Sequence, residues 1–214
     1  AFGMCKGLAS VTIGNSVIEI GSYSFRGCSS LSTLTIGNSV AKIGGMAFNG
    51  CKSLTSLTIP KSVTTIENQA FSECTGLKSL NFEDGVKPLS IDVGKQFPDS
   101  KLEKIYLGRD LTCSIQREDD GTFSDQTNLT AIIIGRSVTT INNYTFRNCN
   151  GLASLFIPNN VTLIGHRAFS GCTGLKQVKI EDGTTPITLG GPQVLSGACL
   201  LYTSDAADEE DSVD

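Results

Sequence analysis

Apolar and small residues recur along this chain in one fixed order, A-F-x-x-C-x-x-L-x-x-L-x-I-x-x-S-V-x-x-I. Successive Phe residues of this block are 23 residues apart, except for two steps of 26 that lead to Phe97 and Phe123. The Phe positions are Phe2, Phe25, Phe48, Phe71, Phe97, Phe123, Phe146 and Phe169. A period in the range of roughly 20–50 residues indicates stacked coils, because one short coil cannot bury its apolar face alone. The sequence therefore predicts a β-rich solenoid and places any function on a surface built by repetition.

The L-x-x-L-x-I part of each block predicts one strand. In the third coil Leu57 and Ile59 alternate as strand residues do, and Pro60 ends the strand because it has no N–H to donate. Val63 and Ile66 are expected to turn back toward the interior. The predicted strand cores are Val11–Ile13, Leu34–Ile36, Leu57–Ile59, Leu80–Phe82, Ile105–Leu107, Ile132–Ile134, Leu155–Ile157 and Val178–Ile180. Stacking should give a right-handed solenoid with few helical residues and one parallel sheet on its concave face, with strands about 4.8 Å apart.

A longer repeat indicates that the coils belong to one domain. Glu83-Asp84-Gly85 recurs 98 residues later as Glu181-Asp182-Gly183, in a variant coil with an extended turn. We therefore predict one solenoid domain of about eight coils over residues 1–198. Cys199–Asp214 leaves the repeat pattern and resembles a translated sequencing adapter; the alternative is a genuine acidic tail, disordered for lack of apolar residues. Because Ala1 lies inside a repeat, we expect the natural N-terminus to lie upstream.

Composition narrows the classes of partner. The chain has 214 residues, 18% of them charged, and a net charge of −4. This charge is too mild to indicate nucleic acid or an anionic membrane as a partner. No apolar run approaches the roughly 18 residues that a membrane span needs. We expect no nucleic acid binding, no membrane insertion and a monomer.

Six of the eight cysteines lie three residues after a Phe of the repeat: Cys5, Cys28, Cys51, Cys74, Cys149 and Cys172. Disulfides are disfavoured because stacking makes the Cα–Cβ vectors parallel, and a straight row cannot supply the tetrahedral thiolates of a zinc site. The sequence thus predicts a buried row of reduced thiols and no metal or cofactor. Cys113 lies outside the row and has no assigned role.

Residues that could support catalysis or calcium binding are sparse. His166 is the single histidine, in a segment where other coils carry Met46, Gln69 or Tyr144, which predicts a solvent-facing turn. Without a second histidine or a nucleophile elbow, hydrolase chemistry is not expected. The acidic turns Glu83-Asp84, Glu181-Asp182 and Glu118–Asp120 present adjacent carboxylates, whereas a calcium loop alternates its ligands. We expect solvated turns and no enzyme.

The outward residues of the predicted strands contain the candidate binding site. Half of them are Ser or Thr, which exposed strands commonly carry. Tyr106, Ile133 and Phe156 break this pattern on three successive coils, with Lys104 and Lys179 beside them. Strand spacing should bring the three together as one exposed apolar patch, and aromatic residues are favoured binding hot spots. The alternative is that they are strand filler chosen only for β-propensity.

The repeat resembles the BspA-like leucine-rich repeats of bacterial surface proteins, which also occur in some protozoan parasites. Phe48–Leu54 (F-N-G-C-K-S-L) and Phe169–Leu175 (F-S-G-C-T-G-L) match closely, and the resemblance extends from Ala1 to about Gly190. Ser100 and Gln126 replace the cysteine in two coils, which should pack less regularly. The resemblance implies an α/β-type leucine-rich-repeat solenoid without enzymatic activity. It also implies a secreted or cell-surface location and adhesion to a host or microbial surface protein or glycan. The alternative function is a passive spacer that projects another domain.

Overall fold

The computed structural model describes residues 2–92, 96–113 and 121–198, and within these ranges the chain forms sixteen β-strands and no helix. Each coil contributes a first strand of three or four residues and a second strand of two or three. In chain order they are β1 (Ser10–Thr12), β2 (Glu19–Ile20), β3 (Thr33–Thr35), β4 (Lys42–Ile43), β5 (Ser56–Ile59), β6 (Thr65–Ile66), β7 (Ser79–Phe82), β8 (Leu89–Ile91), β9 (Lys104–Leu107), β10 (Leu111–Cys113), β11 (Ala131–Ile134), β12 (Thr140–Ile141), β13 (Ser154–Ile157), β14 (Leu163–Ile164), β15 (Gln177–Ile180) and β16 (Thr188–Leu189).

The first strands of the coils form a column of parallel strands. They pair in the orders β1-β3, β5-β7-β9-β11 and β13-β15, and the three groups touch through β3 with β5 and β11 with β13. Each residue faces its equivalent one coil away, as Leu57 faces Leu80. Leu57 and Ile59 are buried whereas Thr58 between them is exposed, because successive strand residues point to opposite sides. All eight predicted strands are confirmed, each within one residue of its predicted start and end.

A second column of strands was not predicted. Its members pair in parallel in the orders β2-β4-β6-β8-β10 and β12-β14-β16. Ile43 and Ile66 lie in register and are fully buried, so the apolar residues that were expected only to turn inward belong to short strands. The described coils therefore carry a second strand column in addition to the predicted parallel sheet. The missed strands are only two or three residues long, too short to show alternation.

The turns around the repeated Phe residues, which we call the Phe turns, form the third side of each coil. The Phe25 N–H donates to the Ala47 carbonyl at 2.8 Å, and the same bond recurs from Phe48 to Ala70 at 2.9 Å. Their rings stack: the centroids of Phe25 and Phe48 are 5.2 Å apart, with 3° between the ring planes. The interplanar angle widens to 23° between Phe97 and Phe123, in the two coils that lack the cysteine. The stack thus continues through those coils with a looser fit.

Left-handed backbone flanks these Phe residues. Around Phe71, both Gln69 and Glu73 have positive φ, 55° and 59°. Glycine occupies the second of these positions in other coils, for example Gly50 with φ 77°. Glycine adopts this conformation without a steric penalty, which explains why it recurs two residues after the Phe. The winding hand and the concavity of the sheet stay predictions, as does the division into one domain.

Candidate binding surface

The outward side chains of the first strands form what we call the long-strand face. Its first row is Ser10, Thr33, Ser56, Ser79, Lys104, Ala131, Ser154 and Gln177, and its second row is Thr12, Thr35, Thr58, Asn81, Tyr106, Ile133, Phe156 and Lys179. Backbone pairing sets both rows in register within each group of paired strands. The face therefore has a Ser/Thr-rich half in the first four coils and a mixed half in the last four.

The candidate binding residues Tyr106, Ile133 and Phe156 lie on neighbouring strands of this face. We call these three residues the apolar patch. Tyr106 faces Ile133 across β9 and β11, and β11 packs against β13, which carries Phe156. Ile133 is 60% exposed and Phe156 is 44% exposed. Lys104 lies in register with Ala131, and Lys179 with Phe156. The sequence thus placed these five residues on one surface, and their role in binding stays a prediction.

Tyr106 differs from its two neighbours because its ring is half-buried and its hydroxyl is held. The Tyr106 hydroxyl lies 2.8 Å from Oδ1 and 2.9 Å from Oδ2 of Asp84 and donates to this carboxylate. Burial and the acceptor Asp84 both raise the pKa of Tyr106, because each disfavours the phenolate. The patch therefore has one fixed aromatic ring beside two more exposed apolar side chains.

The acidic turns serve as more than solvated corners. The Glu83 carboxylate accepts the Lys61 N–H at 3.1 Å, and 98 residues later Glu181 accepts the Asn159 N–H at 3.0 Å. Glu181 also pairs with Arg136, and this guanidinium, followed by the Asn159 N–H, lowers the pKa of Glu181. In the described residues no three metal-ligating side chains gather into a cluster. Glu118–Asp120 lies outside the described residues.

Buried cysteine thiols form what we call the cysteine row: Cys28, Cys51, Cys74, Cys149 and Cys172. All are free thiols, and each donates to a Phe carbonyl of the preceding coil, as Cys51 Sγ does to Phe25 at 3.4 Å. Burial raises the pKa of Cys51 to about 12. These five positions confirm the prediction of a buried row. The prediction of burial is wrong for Cys5, which is exposed because it lies in the first coil, where no preceding coil covers it.

Gln126 replaces the thiol in the sixth coil and preserves its hydrogen bond. Its side chain is 4% exposed, and Nε2 donates to the Phe97 carbonyl at 2.9 Å. Its Oε1 accepts from the Leu102 N–H at 3.4 Å. A larger polar side chain thus fills the same place with both ends satisfied, which the sequence pattern alone did not indicate.

The repeat assigns the chain to a family. Residues 1–118 and 119–189 match the BspA type leucine rich repeat region, in six copies. The chain belongs to the BspA-type leucine-rich repeat family. No curated protein matches this leucine-rich repeat chain significantly.

Solved leucine-rich repeat proteins resemble this BspA-type chain. A leucine-rich repeat protein of T. pallidum is 24% identical, with 91% of this chain and 81% of that chain covered and a TM-score of 0.48. A leucine-rich cell surface protein of Faecalibacterium prausnitzii is 18% identical over 83% of this chain and 80% of that one, with a TM-score of 0.36. The pneumococcal vaccine antigen PcpA is 19% identical over 91% and 69% of the two chains, with a TM-score of 0.35.

Two further features bear on what this BspA-type solenoid can do chemically. His166 packs edge-on against the Tyr144 ring, with centroids 5.6 Å apart, and is half-buried. Arg167 has a positive φ, as Met46, Gln69 and Tyr144 do in other coils. Arg167 is therefore the residue equivalent to these three, and the predicted alignment of His166 with them was wrong by one position.

Leucine-rich repeat solenoids are generally non-enzymatic. No helix within the described ranges has both the length and the apolar character to cross a membrane.

Arg109 is the buried residue that sequence reasoning missed. Although its side chain is fully buried, it follows the end of β9, where an arginine suggests a solvated turn. Its Nη1 donates to the carbonyls of Lys61 at 3.0 Å and Val63 at 2.7 Å, and its Nη2 donates to Pro60 at 2.9 Å. Burial lowers the pKa of Arg109, and the nearby Glu83 opposes this shift. Arg109 thus ties the fifth coil directly to the third.

Proposed function

We propose that this chain is the non-enzymatic binding module of a secreted or cell-surface protein. It recognises a host or microbial protein or glycan through the long-strand face. The observation that carries the proposal is the apolar patch, in which Ile133 and Phe156 stay exposed beside a Tyr106 ring held by Asp84. Fully burying an exposed apolar side chain is worth about 1.5–3 kcal/mol, and a partner can recover the share that these two side chains still expose. Lys104 and Lys179 favour a partner with acidic groups around its contact area.

The test begins with a screen of the chain against surface proteins and glycans, followed by variants of the patch. Phe156→Ser and Tyr106→Thr introduce residue types that the two rows of this face carry in other coils, so the fold should persist. Each should weaken binding roughly tenfold or more, as truncated hot spots do. Leu163→Thr is the matched control, because Leu163 is 36% exposed on β14 and its register neighbours there, Thr140 and Thr188, are threonines. The control should bind as the parent does.

The second candidate function is a passive spacer that projects another domain. The rows of the first four coils favour it, because all their residues except Asn81 are Ser or Thr, which idle exposed strands commonly carry. A Phe156→Ser, Tyr106→Thr double variant that binds as tightly as the parent would favour the spacer over the binding module.

A further inference from the structure

A groove runs along the first four coils, at the end of the first strands away from the Phe turns. It has a volume of about 520 Å³, and its polar lining residues, set among apolar residues and glycines, are Thr12, Thr35, Thr58, Asn15, Asn38 and Glu83. This volume lies within the range of about 300–1,000 Å³ that is usual for ligand sites. Tyr106, Ile133 and Phe156 do not line it, so it is separate from the apolar patch.

The groove presents hydrogen-bonding groups that the protein leaves open. Thr12, Thr35 and Thr58 are exposed, and within the described residues no protein group bonds their hydroxyls. The Asn15 side chain accepts the Asn38 N–H at 2.8 Å through Oδ1, which leaves its amide N–H₂ without a partner there. These groups combine hydroxyls, which both donate and accept, with amides and a carboxylate.

The charge of the groove disfavours an anionic occupant. Glu83 is the one charged residue among those that line the groove, and one of its oxygens accepts the Lys61 N–H. A like charge facing this carboxylate would be repelled without a lining cation to compensate. The single carboxylate disfavours an anion, and the hydroxyls and amides of the lining match an uncharged occupant rich in hydroxyl groups.

The spacing of the groups indicates an extended polymer. Thr12 and Thr35 lie in register on adjacent parallel strands, and β3 packs against β5, which carries Thr58. Adjacent strands are about 4.8 Å apart, close to the length of one sugar ring in an extended oligosaccharide. Each of the first three coils can therefore meet one sugar with the same threonine hydroxyl, and Glu83 can meet one from the fourth coil.

We propose that this groove binds a neutral oligosaccharide, with about one sugar unit on each of its four coils. The site is separate from the apolar patch that carries the proposed function, because it uses a different part of the long-strand face and different chemistry. Hydroxyls and amides bond the sugar hydroxyls, and Glu83 accepts from them at the end of the groove.

The experiment titrates the full chain with neutral gluco-, manno-, xylo- and chito-oligosaccharides of two to six sugars by calorimetry. Affinity for the best series should rise with length and level off at about four units. Thr35→Val keeps the shape and the β-propensity but removes one open hydroxyl, and should weaken binding about three- to tenfold. Thr33→Val is the matched control, because Thr33 is also exposed on the same strand but lies outside the groove.

The outcomes are distinguishable. Binding that Thr35→Val weakens and Thr33→Val spares supports the groove. Absence of binding by all neutral series at millimolar concentration overturns the proposal, as do equal losses in the two variants. Binding that falls in Phe156→Ser but not in Thr35→Val places the sugar on the apolar patch and also overturns it. Phe156→Ser thereby separates a failure of this proposal from a failure of the proposed function.

Discussion

Replacing Arg109 by Met tests whether a single buried side chain ties the third and fifth coils together. The guanidinium makes three hydrogen bonds, to the carbonyls of Pro60, Lys61 and Val63. Hydrogen bonds to a charged group contribute about 1.5–3 kcal/mol each, which gives a gross loss of about 5–9 kcal/mol. Methionine also avoids the cost of burying a cation, which amounts to several kcal/mol. We therefore expect a net loss of about 2–4 kcal/mol in the free energy of unfolding.

Urea denaturation followed by circular dichroism measures this loss. Arg136→Met is the matched control, because Arg136 is an exposed arginine that pairs with Glu181, and it should leave the midpoint unchanged. Arg109→Lys should resemble the Met variant, since one ammonium cannot reproduce the planar fork that reaches three carbonyls. The Arg109→Met variant should also unfold less cooperatively. Stacked coils couple mainly to their immediate neighbours, and this variant loses the direct link between the third and fifth coils. An Arg109→Met midpoint equal to that of the parent would refute the reasoning.

Three further measurements follow from the fold. Native thiol labelling at pH 8 should be rapid at the exposed Cys5 and slow at Cys51, whose pKa burial raises to about 12; rapid labelling of both would contradict the buried row. Gln126→Leu should cost about 2–3 kcal/mol in urea, because the Phe97 carbonyl and the Leu102 N–H lose their partner, and an unchanged midpoint would argue against these bonds. Lys42 Nζ lies 2.8 Å from Oε1 of Glu67 and lowers the pKa of this carboxyl group. Lys42→Met should therefore return the pKa of Glu67 toward its ordinary value in an NMR titration. Because the folded pKa is lowered, the pair stabilises above the unfolded pKa, and the stability difference between parent and variant should shrink below about pH 4; a constant difference would contradict the pairing.

The repeated strands were predictable because their apolar positions recur with a fixed period and alternate clearly in the first four coils. Leu57 and Ile59, for example, flank an exposed Thr58, so period and alternation agree there. Val63 and Ile66 carry no such signal, since they are three residues apart and belong to a segment with a strand of only two residues. That strand exists because the neighbouring coils supply its hydrogen bonds, which lie outside any local window.

The candidate site was predictable in position but not in detail. Ile133 and Phe156 interrupt rows of Ser and Thr, and register alone places them on one face. The bond from Tyr106 to Asp84 joins residues of two coils through a turn whose path the sequence does not specify. Arg109 shows the same limit, because its partners lie 46–49 residues earlier in the chain.

The coil-to-coil hydrogen bonds have a mechanical consequence. Since Phe25 bonds to Ala47 and Phe48 to Ala70, a pulling force on the chain ends acts on one set of bonds at a time. Each 23-residue coil that detaches shortens the folded stack by one strand spacing of about 4.8 Å and releases about 80 Å of extended chain. Stretched between two surfaces, the protein should lengthen in small repeated steps and absorb work at each. Arg109 should merge the steps of the third to fifth coils into one larger event.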